Sequence, residues 1–242
     1  MKARSSWMLA TAVALLGAAS ADAQDLEGRF TLAIEGGTDT EITGNVLTQT
    51  DASFIGLPVR INTLSYRKSF KPKVRRQVLL GYGLKANQEI VVKGTYYKIT
   101  NEGIAAGTMR AADLFAFFTE YKEVGGELAY RFYLATRTRL KSYLGPVVGL
   151  RHIDAMGVSL EVPDLRIKIA NIPLYQSSTI PVFGADIGFG FDVSENVYVG
   201  LETGIRYQTK PTQADGLVGF EVIDDGGSRW SAPVVVQLGV RF

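Results

Sequence analysis

The 242-residue sequence contains no cysteine and a single histidine, His152. Without cysteine the chain has no disulfides and is not a small stapled fold. The two shortages together leave no His/Cys metal centre. Neither sign of charge dominates, with 26 basic residues against 24 acidic ones, so net charge selects no partner. No basic-aromatic groove suggests nucleic acid, and no Gly-rich phosphate cradle, heptad pattern or longer internal repeat is present. Beyond residue 23 no apolar run reaches the ~18 residues that a membrane-spanning helix needs. If this chain enters a bilayer, it does so with strands.

What is present begins with MKARSSWMLATAVALLGAASADAQ. Lys2 and Arg4 form a positive start, Trp7–Ala19 is apolar, and Ala21-Asp22-Ala23 fits a small-x-small cleavage site. This is the pattern of a secretory signal peptide over residues 1–23. Residues 24–242 are then expected to form one exported domain.

Period two runs through that domain. In the final segment Trp230, Ala232, Val234, Val236, Leu238, Val240 and Phe242 share one apolar face, while Ser231, Gln237, Gly239 and Arg241 lie on the other. Val197–Tyr207, Glu27–Gly36 and Val182–Asp192 divide in the same way. Eight such segments are expected, near 26–36, 74–85, 89–100, 121–132, 139–152, 180–192, 196–208 and 229–242. Most are longer than the ~5–6 residues usual for soluble strands and match the ~9–11 that a tilted strand needs to cross a bilayer.

The connections alternate in length, short at 86–88, 133–138 and 193–195, long at 37–73, 101–120, 153–179 and 209–228. Short turns at one end and long loops at the other predict an all-β, up-and-down antiparallel transmembrane barrel. An even strand count puts both termini at the short-turn, periplasmic end and the long loops outside. The first long loop could hide a hairpin around residues 46–66, so ten strands stay possible beside eight. Residues 158–170 read as two short strands around a Pro-Asp turn that extend strands five and six above the membrane. Ala111–Phe118 is an apolar patch in or beside the second outer loop.

The polar face carries Glu27, Arg29, Glu35, Lys85, Lys93, Glu123, Glu127, Arg131, Lys141, Arg151, Asp186, Asp192, Glu202, Arg206 and Arg241, whereas the apolar face is nearly free of charge. A soluble barrel could expose those charges to water instead. The aromatics weigh against that reading: Trp230, Phe242, Tyr207, Phe132, Tyr130 and Phe191 cluster near strand ends, where interfacial rings belong.

The closing strand, ending on Phe242 with Val240, Leu238 and Val236 at alternate positions behind it, resembles the C-terminal signature of bacterial outer-membrane barrels. With the signal peptide, the eight segments and the loop asymmetry, residues 24–242 are similar to the small OmpA/OmpX-like family. That resemblance implies an outer-membrane location in a Gram-negative-type envelope. It also implies that Val236, Leu238, Val240 and Phe242 are read by the barrel-assembly machinery. No periplasmic peptidoglycan-binding domain of the OmpA kind is expected after the barrel.

An eight-stranded barrel is just wide enough for its own side chains, and unpaired buried charge is costly. Glu27, Arg29, Glu35, Lys93, Glu127, Arg131, Arg151, Asp186, Glu202, Arg206 and Arg241 are therefore expected to pair across the lumen and plug it. Inward glycines leave room for the long side chains. The alternative is a narrow pore for small solutes or ions.

Between Arg60 and Arg76 lies a basic run without an acidic residue. At the outer end of the second strand, Arg67, Lys68, Lys71, Lys73, Arg75 and Arg76 are expected to meet lipopolysaccharide phosphates, for which Arg offers a planar fork and Lys a point charge. A merely solvated loop is the plainer account. Chemistry has little to work with. Some small barrels modify lipid A with a membrane-facing His-x-Ser, but here His152-Ile153-Asp154 stands in that place. The sequence thus reads as a monomeric, non-enzymatic structural barrel without cofactor, supporting the envelope among lipid and lipopolysaccharide. Loop-mediated adhesion is a further alternative.

Overall fold

The structure is a computed structural model that describes residues 25–54, 56–101, 103–134, 139–214 and 227–242. The expected signal peptide lies outside the described residues. Eight long strands form a closed antiparallel barrel. They are β1 (Phe30–Thr43), β6 (Lys73–Lys85), β7 (Gln88–Ile99), β10 (Tyr121–Tyr133), β11 (Leu140–Ile153), β14 (Ser178–Asp192), β15 (Val197–Gln208) and β16 (Arg229–Arg241). Each pairs with its neighbour in sequence, and β1 closes on β16, from Thr31 opposite Arg241 to Thr43 opposite Trp230. At the short-turn end the backbones of Phe30 and Phe242 exchange hydrogen bonds of 2.8 and 3.0 Å.

The alternation resolves with its apolar face outward. Ile34, Leu80, Val92, Leu128, Val148, Leu201 and Val236 are all exposed, Val236 to 61%. Their partners in the alternation, Glu35, Lys93, Glu127, Arg131, Glu202 and Arg206, are buried. Water would favour the opposite arrangement, and lipid favours this one. Rings mark both rims. Tyr207 and Trp230 pair at 5.0 Å at the outer end, and Phe30 lies 4.9 Å from Tyr82 and 6.1 Å from Phe242 at the other. No helix of the described residues is long and apolar enough to cross a membrane.

The outer connections are not irregular loops. Strands β3 (Thr50–Phe54), β4 (Leu57–Ile61), β8 (Ile104–Met109), β9 (Ala112–Phe118), β12 (Met156–Val162) and β13 (Ile167–Tyr175) form a separate six-stranded sheet in the order β13-β12-β9-β8-β4-β3. A two-residue-deep ladder of β2 (Asn45–Leu47) on β5 (Leu64–Ser65) lies beside it, followed by one helical turn, Tyr66–Ser69. The hairpin expected near 46–66 therefore exists as β3–β4, but it joins this cap through β8 and not the barrel. That excludes the ten-stranded reading, since the barrel closes without it. The strands expected at 158–170 are β12 and β13, continuing β11 and β14 outward.

The cap obeys the opposite rule from the barrel. Val46, Ile61, Tyr66, Phe70, Leu114, Phe118, Met156, Val158, Leu160 and Ile172 pack into one buried cluster. The apolar patch at Ala111–Phe118 is thus mainly strand β9, with Leu114, Ala116 and Phe118 in that cluster and Phe117 outside it. The cluster also takes in Ile99, Tyr121, Ile153 and Ile180 at the outer ends of barrel strands, and Ile172→Val should weaken the cap by about 0.5–1.5 kcal/mol. Hydrogen exchange should show faster amides in β12 and β13 and unchanged amides in β15 and β16. Equal loss of protection in both would mean the cap and barrel unfold as one.

Candidate functional site

The lumen holds a dense set of buried charged side chains. Midway along β10, Glu127 faces inward and accepts from three guanidinium groups. Arg75 contributes a bond of 3.1 Å, Arg151 one of 3.0 Å, and Arg206 two of 3.2 and 3.0 Å. Arg206 also holds Asp186 at 2.6 and 3.0 Å. Lys93 bridges Asp186 at 2.9 Å to Glu202, with which it makes a short contact. Glu202 accepts in turn from Arg131 at 2.7 Å and from the Tyr143 hydroxyl at 2.9 Å. Arg131 reaches Glu35 at 3.6 Å and Glu89 at 3.5 Å.

Nearer the short-turn end, Asp192 pairs with Lys141 at 2.7 Å and with Arg241, whose guanidinium lies 4.2 Å over the Tyr198 ring. Inward glycines make room for these groups. A Cβ on Gly239 would lie 2.3 Å from the Tyr198 ring, and one on Gly204 would lie 2.5 Å from Asp186. The glycines accommodate tyrosine rings as well as charged side chains.

Toward the cap, Glu123 receives Lys73 at 3.1 Å, Arg151 at 3.3 Å and a short contact from Arg229. Lys73 also meets Glu41 at 2.6 Å. Arg229 joins the two halves of the molecule. Its lower contacts are Glu123 and Gln208, the latter at 2.8 Å. Above, it donates to the Tyr121 hydroxyl at 3.2 Å and lies 4.8 Å over the ring of Tyr66, which belongs to the cap cluster. Burial raises the pKa of the Tyr66 hydroxyl above its ordinary value, against the lowering pull of Arg229.

Of the eleven residues expected in the lumen network, nine are buried there: Glu35, Lys93, Glu127, Arg131, Arg151, Asp186, Glu202, Arg206 and Arg241. Glu27 is not. It is exposed in the turn before β1, because that strand begins at Phe30 and not at 26. Arg29 sits at the rim, donating to Asn196 at 3.1 Å and to the Arg241 carbonyl at 3.4 Å. Lys85 is likewise exposed beside a short turn. Sequence reasoning missed Asp39 and Glu41, which lie in the outer part of β1, and Arg229 at the start of β16.

The basic run divides between two environments. Arg67, Lys68, Lys71 and Arg76 are exposed. Lys73 and Arg75 are buried in the lumen, at 2% and 1% exposure, and cannot meet lipopolysaccharide. The reason is that β6 starts at Lys73, so period two directs 73, 75 and 77 inward. Arg75 already lay within the expected segment 74–85, and carrying the alternation one residue further back would have found both.

His152 faces outward on β11, with its ring nitrogens 3.1 Å from the Thr179 hydroxyl and 3.0 Å from the Ser177 hydroxyl. Asp154 does not orient it, since its Oδ2 accepts the Lys122 backbone N–H at 3.3 Å. Among the described residues no group of three or more His, Cys, Asp or Glu could hold a metal ion. Val236, Leu238, Val240 and Phe242 all lie exposed on the outside of the closing strand.

No family model and no curated protein matches the sequence. Several solved structures resemble it at low identity. One is Neisserial surface protein A, at 15% identity over 89% of this chain and 100% of that one, with a TM-score of 0.44. Ail, the attachment invasion locus protein of Yersinia pestis, matches at 9% identity over 90% and 100% of the two chains, TM-score 0.43. The outer membrane protein OprG of Pseudomonas aeruginosa matches at 12% identity over 90% and 97%, TM-score 0.40. The fold itself stands on the strand pairing and the reversed surfaces. The chain is a closed eight-stranded transmembrane β-barrel, with a charged lumen beneath a folded cap.

Proposed function

We propose that this protein is a sealed outer-membrane barrel that reinforces the envelope and holds a rigid β-sheet cap at the cell surface. The observation that carries this reading is the unbroken chain of ion pairs through the lumen from Glu89 and Arg131 to Arg229 under the cap, with a separate Asp192–Lys141–Arg241 cluster below it. Paired charges at this density leave side chains where a conducting barrel would hold water. Planar-bilayer recording of the protein should therefore give a flat baseline. Stable, reproducible conductance steps would replace the sealed barrel with a narrow pore.

Two further roles belong to this reading. The outward row Val236, Leu238, Val240 and Phe242 is the signal offered to the barrel-assembly machinery. The exposed Arg67, Lys68, Lys71 and Arg76 offer contacts to lipopolysaccharide. The barrel acts as a monomer, without cofactor or catalysis.

A further inference from the structure

We propose that Arg76, Lys98 and Lys122 form a binding site on the outer wall of the barrel for the phosphate groups of an outer-leaflet glycolipid. This rests on the outer-membrane reading above and adds residues from two strands outside the basic run. The register brings the three together. Arg76 on β6 stands opposite Tyr96 on β7, two residues before Lys98, and Lys98 stands opposite Lys122 on β10. Outward-facing cross-strand neighbours of this kind lie within reach of one another, and two like charges directly opposed are unfavourable. All three are exposed.

Two carboxylates lie close by. Glu120 meets Lys98 at 3.4 Å, with both side chains more than half exposed, and Asp154 accepts the Lys122 backbone N–H. A bound phosphate would relieve the Lys98–Lys122 repulsion that Glu120 meets from one side only. Arg76 would supply the fork that phosphate geometry favours.

Position on the wall decides for a lipid. The next same-face residues along these strands, toward the bilayer middle, are Val78, Tyr96 and Val124; Val78 and Val124 are exposed, and the apolar band continues through Val92 and Leu128. The long stems of Arg76, Lys98 and Lys122 can lie along apolar surface with their charges at the head-group level. The arrangement is one-sided. Outward positions on the outer halves of β1, β14, β15 and β16 carry no charge, as at Thr40, Thr179, Tyr207 and Trp230. A general attraction to an anionic surface would not require cations on three adjacent strands alone.

The test is native mass spectrometry of the mature protein in detergent, with bis-phosphorylated lipid A, its fully dephosphorylated form and inorganic phosphate as probes. The triple variant Arg76→Gln/Lys98→Gln/Lys122→Gln should still fold, migrating on an unheated detergent gel as the unsubstituted protein does, yet bind lipid A about tenfold more weakly or worse, since several charge-assisted contacts are lost together. An equal charge loss on the cap, Arg60→Gln/Arg110→Gln/Lys168→Gln, should change binding less than about twofold, as expected for exposed charges away from a site. Comparable weakening by the cap variant, equal binding of dephosphorylated lipid A, or displacement of lipid A by millimolar inorganic phosphate would each overturn the proposal. The sealed-barrel reading is judged separately by its flat conductance baseline, so either can fail alone.

Discussion

Replacing Glu127 by Gln is expected to destabilise the barrel by about 3–5 kcal/mol, the range for removing one partner from a buried ion cluster. The amide keeps the shape and loses the charge. Three guanidinium groups, those of Arg75, Arg151 and Arg206, converge on Glu127, and each has one other acid, held with unequal strength. Arg206 keeps Asp186, and Arg151 keeps Glu123. Arg75 retains Asp39 at 3.7 Å, too long for a good hydrogen bond. Denaturant unfolding in lipid vesicles measures the effect, with the exposed Glu195→Gln as the reference expected within about 0.5 kcal/mol. A loss below about 1 kcal/mol for Glu127→Gln would mean that water already screens the lumen, and the plug would be abandoned.

Val92→Arg tests the other surface. Val92 lies near the middle of β7 and is 54% exposed. On a water-soluble protein, a charge at so exposed a site would change stability by no more than about 0.5 kcal/mol. Against hydrocarbon near the bilayer midplane the cost is about 2–4 kcal/mol. The same vesicle assay reads it, and a neutral result would put the apolar band in water and end the membrane assignment.

The barrel was legible because period two with one charge-free face is visible in a bare sequence. All eight expected segments correspond to barrel strands, with ends shifted by a few residues, except at β1. That strand runs on through Thr38-Asp39-Thr40-Glu41-Ile42-Thr43. There both faces are largely polar, because the outward threonines no longer meet the apolar band, so the alternation disappears although the strand continues. Asp39 and Glu41 were hidden by it. Lys73 and Arg75 were hidden in another way: a dense basic run masks the fact that its alternate members point in opposite directions.

The cap was the least legible part. Leu114, Ala116 and Phe118 alternate as membrane-facing residues do, yet they point into a core sheltered from water. Nothing in a short alternating strand says which solvent its apolar face avoids. That depends on β9 finding β8 on one side and β12 on the other, partners that come from separate connections. Arg229 was missed for a related reason, since its lower partners lie in the barrel and its upper ones include a tyrosine of the cap.

Because the external sheet lays hairpins from three successive excursions side by side over one shared core, pruning any one of them would uncover greasy surface contributed by the other two. Loop shortening or epitope grafting on this scaffold must therefore treat residues 44–72, 100–120 and 154–177 as a single unit, exchanged whole or left intact.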